Sequence, residues 1–190
     1  MDNNMDNNEN KKKIEIKGQS NRYQIKKLVK EKEAPKKRAV IDEWNLPKYC
    51  YTFDYQLELI NKISTLSSTE KKELHEEIGI KQIEKKINGY KHQDIDKKVL
   101  DESSFVKFDH VITKMKNCEM KCFYCKKEMY IFYELVRENN QWTLDRINND
   151  IGHVTDNVLI SCLECNLKRR RTNKDKFLFT KQIKINREGL

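Results

Sequence analysis

Two C-x-x-C pairs constrain this chain more than any other feature: Cys122 and Cys125 in "CFYC", then Cys162 and Cys165 in "CLEC", with 36 residues between the pairs. A C-x-x-C turn aims two thiolates at one ion, and a second pair closes a tetrahedron. The spacing therefore predicts a structural Zn²⁺ site. Four thiolates leave no open position for substrate, so such an ion folds a module rather than catalysing. The other two of the six cysteines, Cys50 and Cys118, read as buried free thiols. Cys118, four residues before Cys122, is spaced to compete as a ligand.

Cysteines paired for metal rather than disulfides point to a reducing, intracellular compartment, cytoplasm or nucleus. The opening "MDNNMDNNEN" lacks the basic-then-apolar order of a secretory signal. No apolar run approaches the roughly 20 residues of a membrane span, so no membrane partner is expected. A net charge of +9, from 39 Lys+Arg against 30 Asp+Glu, favours a polyanionic partner, most simply nucleic acid.

Four regions are expected along the 190 residues. Residues 1–40 carry lysine clusters with few large apolar groups and read as a disordered basic arm. Residues 41–117 read as a helical domain. Tyr55, Leu57, Leu59, Ile60 and Ile63 form a helical stripe, and Ser67-x-x-Glu70 resembles a capping box. Gly79 and Gly89 read as helix stops, and "YKHQDIDKKVL" as a further short helix. Two helices joined at Gly79 would suit a DNA-reading helix-turn-helix, although glycine stops are common without one. Phe105, Phe108, Val111, Ile112 and Met115 predict another helix, and His75, His92 and His110 read as surface or packed residues. The cysteine module follows at 118–174, and a basic tail at 175–190.

Within the module, "MYIFYELV", "WTLDRI" and "VLISC" read as three strands, "NNDIGHVTDN" as a loop, and "LECNLKRRRT" as a helix whose first turn carries the second thiolate pair. A knuckle, a hairpin and a helix on one ion describe a treble clef. The expected fold class is α+β. Trp142, Tyr124, Phe132 and Tyr133 read as core.

"LDRINNDIGHVTDNVLISCLECNLKRR" after "CFYC" resembles the HNH, or ββα-metal, endonucleases over about residues 118–172. The likeness is to their zinc-bearing branch, which includes phage junction-resolving enzymes and HNH-like proteins of large DNA viruses. It implies a second, catalytic ion, Mg²⁺ or Mn²⁺, held by Asp145 and by Asn166 directly after the last cysteine. Asn157 would steady the hairpin. A hard cation with one carboxylate, one amide oxygen and a substrate phosphate is a reasonable set. Lys168, Arg169, Arg170 and Arg171 would grip flanking phosphates. The family's general base is a histidine after the acidic residue, and Arg146 stands there instead. A guanidinium has no acceptor lone pair and fits a phosphate clamp better. His153 in the hairpin loop would have to swing in as base.

The expected activity is metal-dependent hydrolysis of phosphodiester bonds in DNA. Two-fold cleavage would suit a homodimer, though no heptad seam stands out. The rival is a non-catalytic zinc module that binds DNA or RNA through its basic helix, with Arg146 as its best support. A third reading is a protein-interaction platform.

Overall fold

The computed structural model describes residues 34–66 and 71–183, with single positions at 18, 19, 22, 25 and 26. Most of the expected arm, the Ser67–Glu70 pattern and the last seven residues of the tail lie outside the described residues. The described residues from Pro35 onward form one compact unit. Its elements are α1 (Val40–Trp44), a 3-10 turn (Lys48–Tyr51), α2 (Phe53–Ile63), α3 (Leu74–Asp96), α4 (Phe108–Asn117), β1 (Trp142–Arg146), a second 3-10 turn (Thr155–Asn157), β2 (Val158–Cys162), α5 (Leu163–Arg169) and α6 (Lys174–Gln182). The class is α+β. Among the described residues no helix is long and apolar enough to cross a membrane.

The helical periodicity of α2 buries Gln56, Leu59, Ile60 and Ile63 on one face, spaced as one stripe requires. Helix α4 buries Val111, Ile112 and Met115 and packs against α2, α3 and β2. Three expected short helices are instead one 23-residue helix, α3, which begins at a capping box of Glu73 and Glu76. Gly79 and Gly89 both lie inside it. A side chain at Gly79 would sit 3.2 Å from Leu59 Cδ2, so this glycine permits the close approach of α2 rather than ending a helix. With no break at Gly79, the helix-turn-helix is absent there.

The sheet has two strands, antiparallel, in a register running from Trp142 opposite Cys162 to Arg146 opposite Val158. The expected third strand over "MYIFYELV" makes only isolated bridges, Tyr130 to Gln141 and Leu135 to Lys37. Gln56 supplies what a neighbouring strand would have supplied. Its Oε1 accepts from the amides of Ile131 (2.7 Å) and Phe132 (3.0 Å), and its Nε2 donates to the Phe132 carbonyl (3.1 Å). All three groups are buried, so each needs its partner.

The helical region and the cysteine module, expected as separate domains, share one hydrophobic core. Lys86 ties α3 to β1, donating to Gln141 Oε1 (2.9 Å) and to the Trp142 carbonyl. The end of the expected arm also joins this body. Arg38 N–H donates to the Glu134 carbonyl (2.8 Å) and Val136 N–H to the Lys36 carbonyl (2.9 Å). The Arg38 guanidinium lies 4.9 Å from the Trp44 ring centre and 4.3 Å from that of Tyr133.

Candidate metal centre and the ion pair beside it

The thiols of Cys122, Cys125, Cys162 and Cys165 all lie within 4.8 Å of one another, with Cys125 and Cys162 sulfurs 3.8 Å apart. Tetrahedral Zn–S bonds of about 2.3 Å set sulfur–sulfur separations of about 3.8 Å. The cluster is thus compatible with a structural metal ion such as zinc. Cys118 stays outside it, donating its thiol to the Met115 carbonyl at 3.3 Å. Local geometry builds each half. The first pair sits on a knuckle closed by Lys126 N–H to the Cys122 carbonyl (3.0 Å) and Cys122 N–H to the Lys127 carbonyl (2.8 Å), with Lys126 at φ 59°. Cys162 ends β2 and caps α5, and Cys165 lies in the first turn of that helix.

Asp145 lies on β1 beside this centre, 3% exposed, and its carboxylate is already engaged. Arg169 Nε donates to Oδ2 at 2.6 Å and Nη2 to Oδ1 at 2.7 Å, a bidentate pair. The Tyr124 hydroxyl donates to Oδ2 at 2.6 Å. Burial and this hydrogen bond raise the Tyr124 pKa well above its ordinary value. Burial opposes the charge on Arg169, but the Asp145 carboxylate raises its pKa all the same. Arg169 further donates to the carbonyls of Thr172 (2.8 Å) and Arg146 (2.5 Å), joining the end of β1 to the end of α5. At 1% exposure, Arg169 does not reach solvent phosphates as its place in a basic run suggested.

Asn166 comes close to the same strand but spends its amide there. Nδ2 donates to Thr143 Oγ1 and to the Leu144 carbonyl, both at 3.1 Å. Arg146 donates through Nη1 to the Ile151 carbonyl (3.1 Å). Asn157 organises the loop: its Oδ1 accepts from Asn148 N–H (2.9 Å), and Nδ2 donates to the carbonyls of Asn148 (2.9 Å) and Gly152 (3.0 Å).

His153 is a buried structural residue rather than a loop group able to swing. Its Nδ1 lies 2.7 Å from Asp94 Oδ1, and its backbone N–H donates to Oδ2 at 2.5 Å. Its ring packs 4.7 Å from that of Tyr90. Burial lowers the His153 pKa, against the raising effect of Asp94. Tyr90 in turn accepts the Leu144 N–H at 3.1 Å, so α3 braces the strand that carries Asp145.

Lys168, Arg170 and Arg171 are exposed around the end of α5. Lys168 pairs with Glu164 at 2.5 Å, and Arg171 lies 3.6 Å from Asp150. Between the hairpin loop (147–150) and residues 171–173 runs a polar cleft of about 490 Å³. No family model matches the chain, and neither a curated protein nor a solved structure matches it.

Asp94 and Gln56 carry no signal in the sequence, and Arg169 and Tyr124 read there as a phosphate contact and a core aromatic rather than as partners of Asp145. A signal existed for Arg169, which lies four residues after Cys165 and so shares its inward face. Asp94 and Gln56 act on partners 59 and 75 residues away, which local patterns do not expose.

Proposed function

We propose that this chain is a zinc-stapled nucleic-acid-binding module with an HNH-like treble-clef arrangement, in which the nuclease's carboxylate has become a structural one. The observation that carries this reading is the bidentate Arg169–Asp145 pair, completed by Tyr124. A divalent ion needs open carboxylate lone pairs and room for several waters, and the Asp145 oxygens are committed inside the core. Arg146 lacks an acceptor lone pair, and His153 is held by Asp94, so neither serves as general base. What the module offers outward is charge: the exposed Lys168, Arg170 and Arg171, the last of them lining a polar cleft, on a chain of net charge +9.

A metal-dependent DNA endonuclease is the second reading, favoured by the placing of Asn166 on the strand residue just before Asp145. It requires Arg169 to leave the carboxylate when substrate and Mg²⁺ or Mn²⁺ arrive. One experiment separates the two. Purified protein is incubated with linear, circular and branched DNA, with Mg²⁺ or EDTA, and scored for both retention and strand scission. The binding reading predicts retention without cutting, weakening steeply between about 50 and about 200 mM salt. Mg²⁺-dependent cutting that disappears in Asp145→Ala supports the nuclease. Absence of retention at low salt contradicts both.

A further inference from the structure

On the side of the body formed by residues 130–138, a cleft of about 310 Å³ has a character opposite to that of the chain as a whole. Three tyrosines, Tyr51, Tyr130 and Tyr133, line it together with Phe132 and Leu135, and two carboxylates, Glu134 and Glu138, complete the wall. No lysine or arginine lines it, on a chain whose formal charge is +9. The acids lie close enough to the rings to act on them: Glu134 adds to burial in raising the Tyr51 pKa, against the lowering effect of Arg38, and Glu128 and then Glu138 add to burial at Tyr130.

We propose that this cleft is a binding site for the ammonium group of a lysine side chain on a basic peptide segment of a partner protein. The chemistry is specific to a cation. Aromatic faces attract one through their quadrupole, most strongly when it is desolvated, and the two carboxylates add charge complementarity. The protein already uses this chemistry internally on one ring of the cleft: the Arg38 guanidinium lies 4.3 Å and the Lys86 ammonium 5.6 Å from the Tyr133 centre. With Phe132 buried, Tyr51 and Tyr130 are the rings that meet a ligand. Among the described residues neither Glu134 nor Glu138 forms an ion pair. The cleft also has a rigid frame, because Gln56 fixes the backbone of Ile131 and Phe132 and the Lys36 carbonyl holds Val136. Phosphates are excluded by the same carboxylates, so this site is independent of the nucleic-acid reading.

The test is fluorescence anisotropy on the full chain with two labelled peptides, identical except for one central lysine replaced by glutamine. The lysine peptide is expected to bind at least about ten-fold tighter at low salt. The double variant Glu134→Gln/Glu138→Gln and, separately, Tyr130→Leu should each remove most of that preference, with far-UV circular dichroism unchanged. Equal affinity for the two peptides overturns the proposal, as does a preference that survives in the double variant. If Tyr130→Leu fails to fold, the surface-located glutamate pair decides the matter alone. DNA retention unaltered in the glutamate variants is expected whichever way the function above is decided.

Discussion

Two buried carboxylates, Asp145 on β1 and Asp94 on α3, steady the hairpin, and their partners are of different kinds. Asp145 is held by Arg169, a cation that never titrates in practice, while Asp94 is held by His153, whose pKa burial has lowered. The first pair sits against the cysteine centre and gains its geometry from it: Tyr124 lies between two of the cysteines, and Arg169 one turn after the last. The second pair sits where α3 meets the hairpin loop. The comparison teaches that similar buried pairs give a fixed joint on one side and a proton-sensitive joint on the other.

The largest expected effect comes from dismantling the fixed side at its source. Metal removal by a strong chelator, or Cys165→Ser, should abolish cooperative unfolding of the whole body followed by Trp142 near-UV signal. Apparent zinc affinities in small folded modules are about 10–16 kcal/mol, and here the module shares one core with the helices. A helical half that keeps a sharp transition without metal would break the idea of one unit.

Arg169→Met should come next, costing about 3–5 kcal/mol because it strands the Asp145 charge in the core. Adding Asp145→Leu should recover much of that loss, as buried pairs are often replaceable by apolar groups. Denaturant unfolding of the single and double variants checks both statements.

Asp94→Asn should cost less, about 1–3 kcal/mol, and should change the pH dependence where Arg169→Met does not. His153 takes up its proton at a lower pH in the folded chain than in the unfolded one, where its pKa is about 6.5. The unfolded state therefore binds more protons below that value, and stability falls as pH drops from about 6.5 toward the folded pKa. Lys86 works in the same direction higher up. Burial, then Arg38, pull its pKa down to about 7, against about 10.4 unfolded. Stability should thus rise with pH between about 7 and about 10.4. Unfolding midpoints across pH, compared with His153→Gln and Lys86→Met, read each window separately.

The smallest effect contrasts the two glycines of α3. Gly89→Ala meets nothing within 4 Å and should stabilise by about 0.5–1 kcal/mol through helix propensity. Gly79→Ala offsets the same gain by crowding Leu59 at 3.2 Å, so it should stabilise less. Thermal midpoints of the two variants decide this directly.

What could be read from sequence follows from how local each cause is. The cysteine pairs, the hairpin strands and the helix after Cys162 are written within a few residues each, and they stand where their spacing put them. Gly79 was misread as a stop because its reason is the flank of α2, some twenty positions earlier. The stretch 129–136 has the composition of a strand but divides its hydrogen bonds between the Gln56 side chain and scattered backbone partners at residues 36–38, 120, 140 and 142, so no ladder forms. In "LKRRRT" all four basic residues look alike, yet the helical repeat turns Arg169 inward while Lys168, Arg170 and Arg171 face solvent. That one inward arginine is what makes Asp145 structural rather than ion-binding in the function proposed above.

Electron paramagnetic resonance titration of the zinc-loaded protein with Mn²⁺ tests this point most directly. With Asp145 committed to Arg169 and Tyr124, wild type should bind no stoichiometric Mn²⁺, and its signal should match that of Asp145→Ala. One tightly bound Mn²⁺ per chain, lost in Asp145→Ala, would contradict the account and restore the catalytic ion.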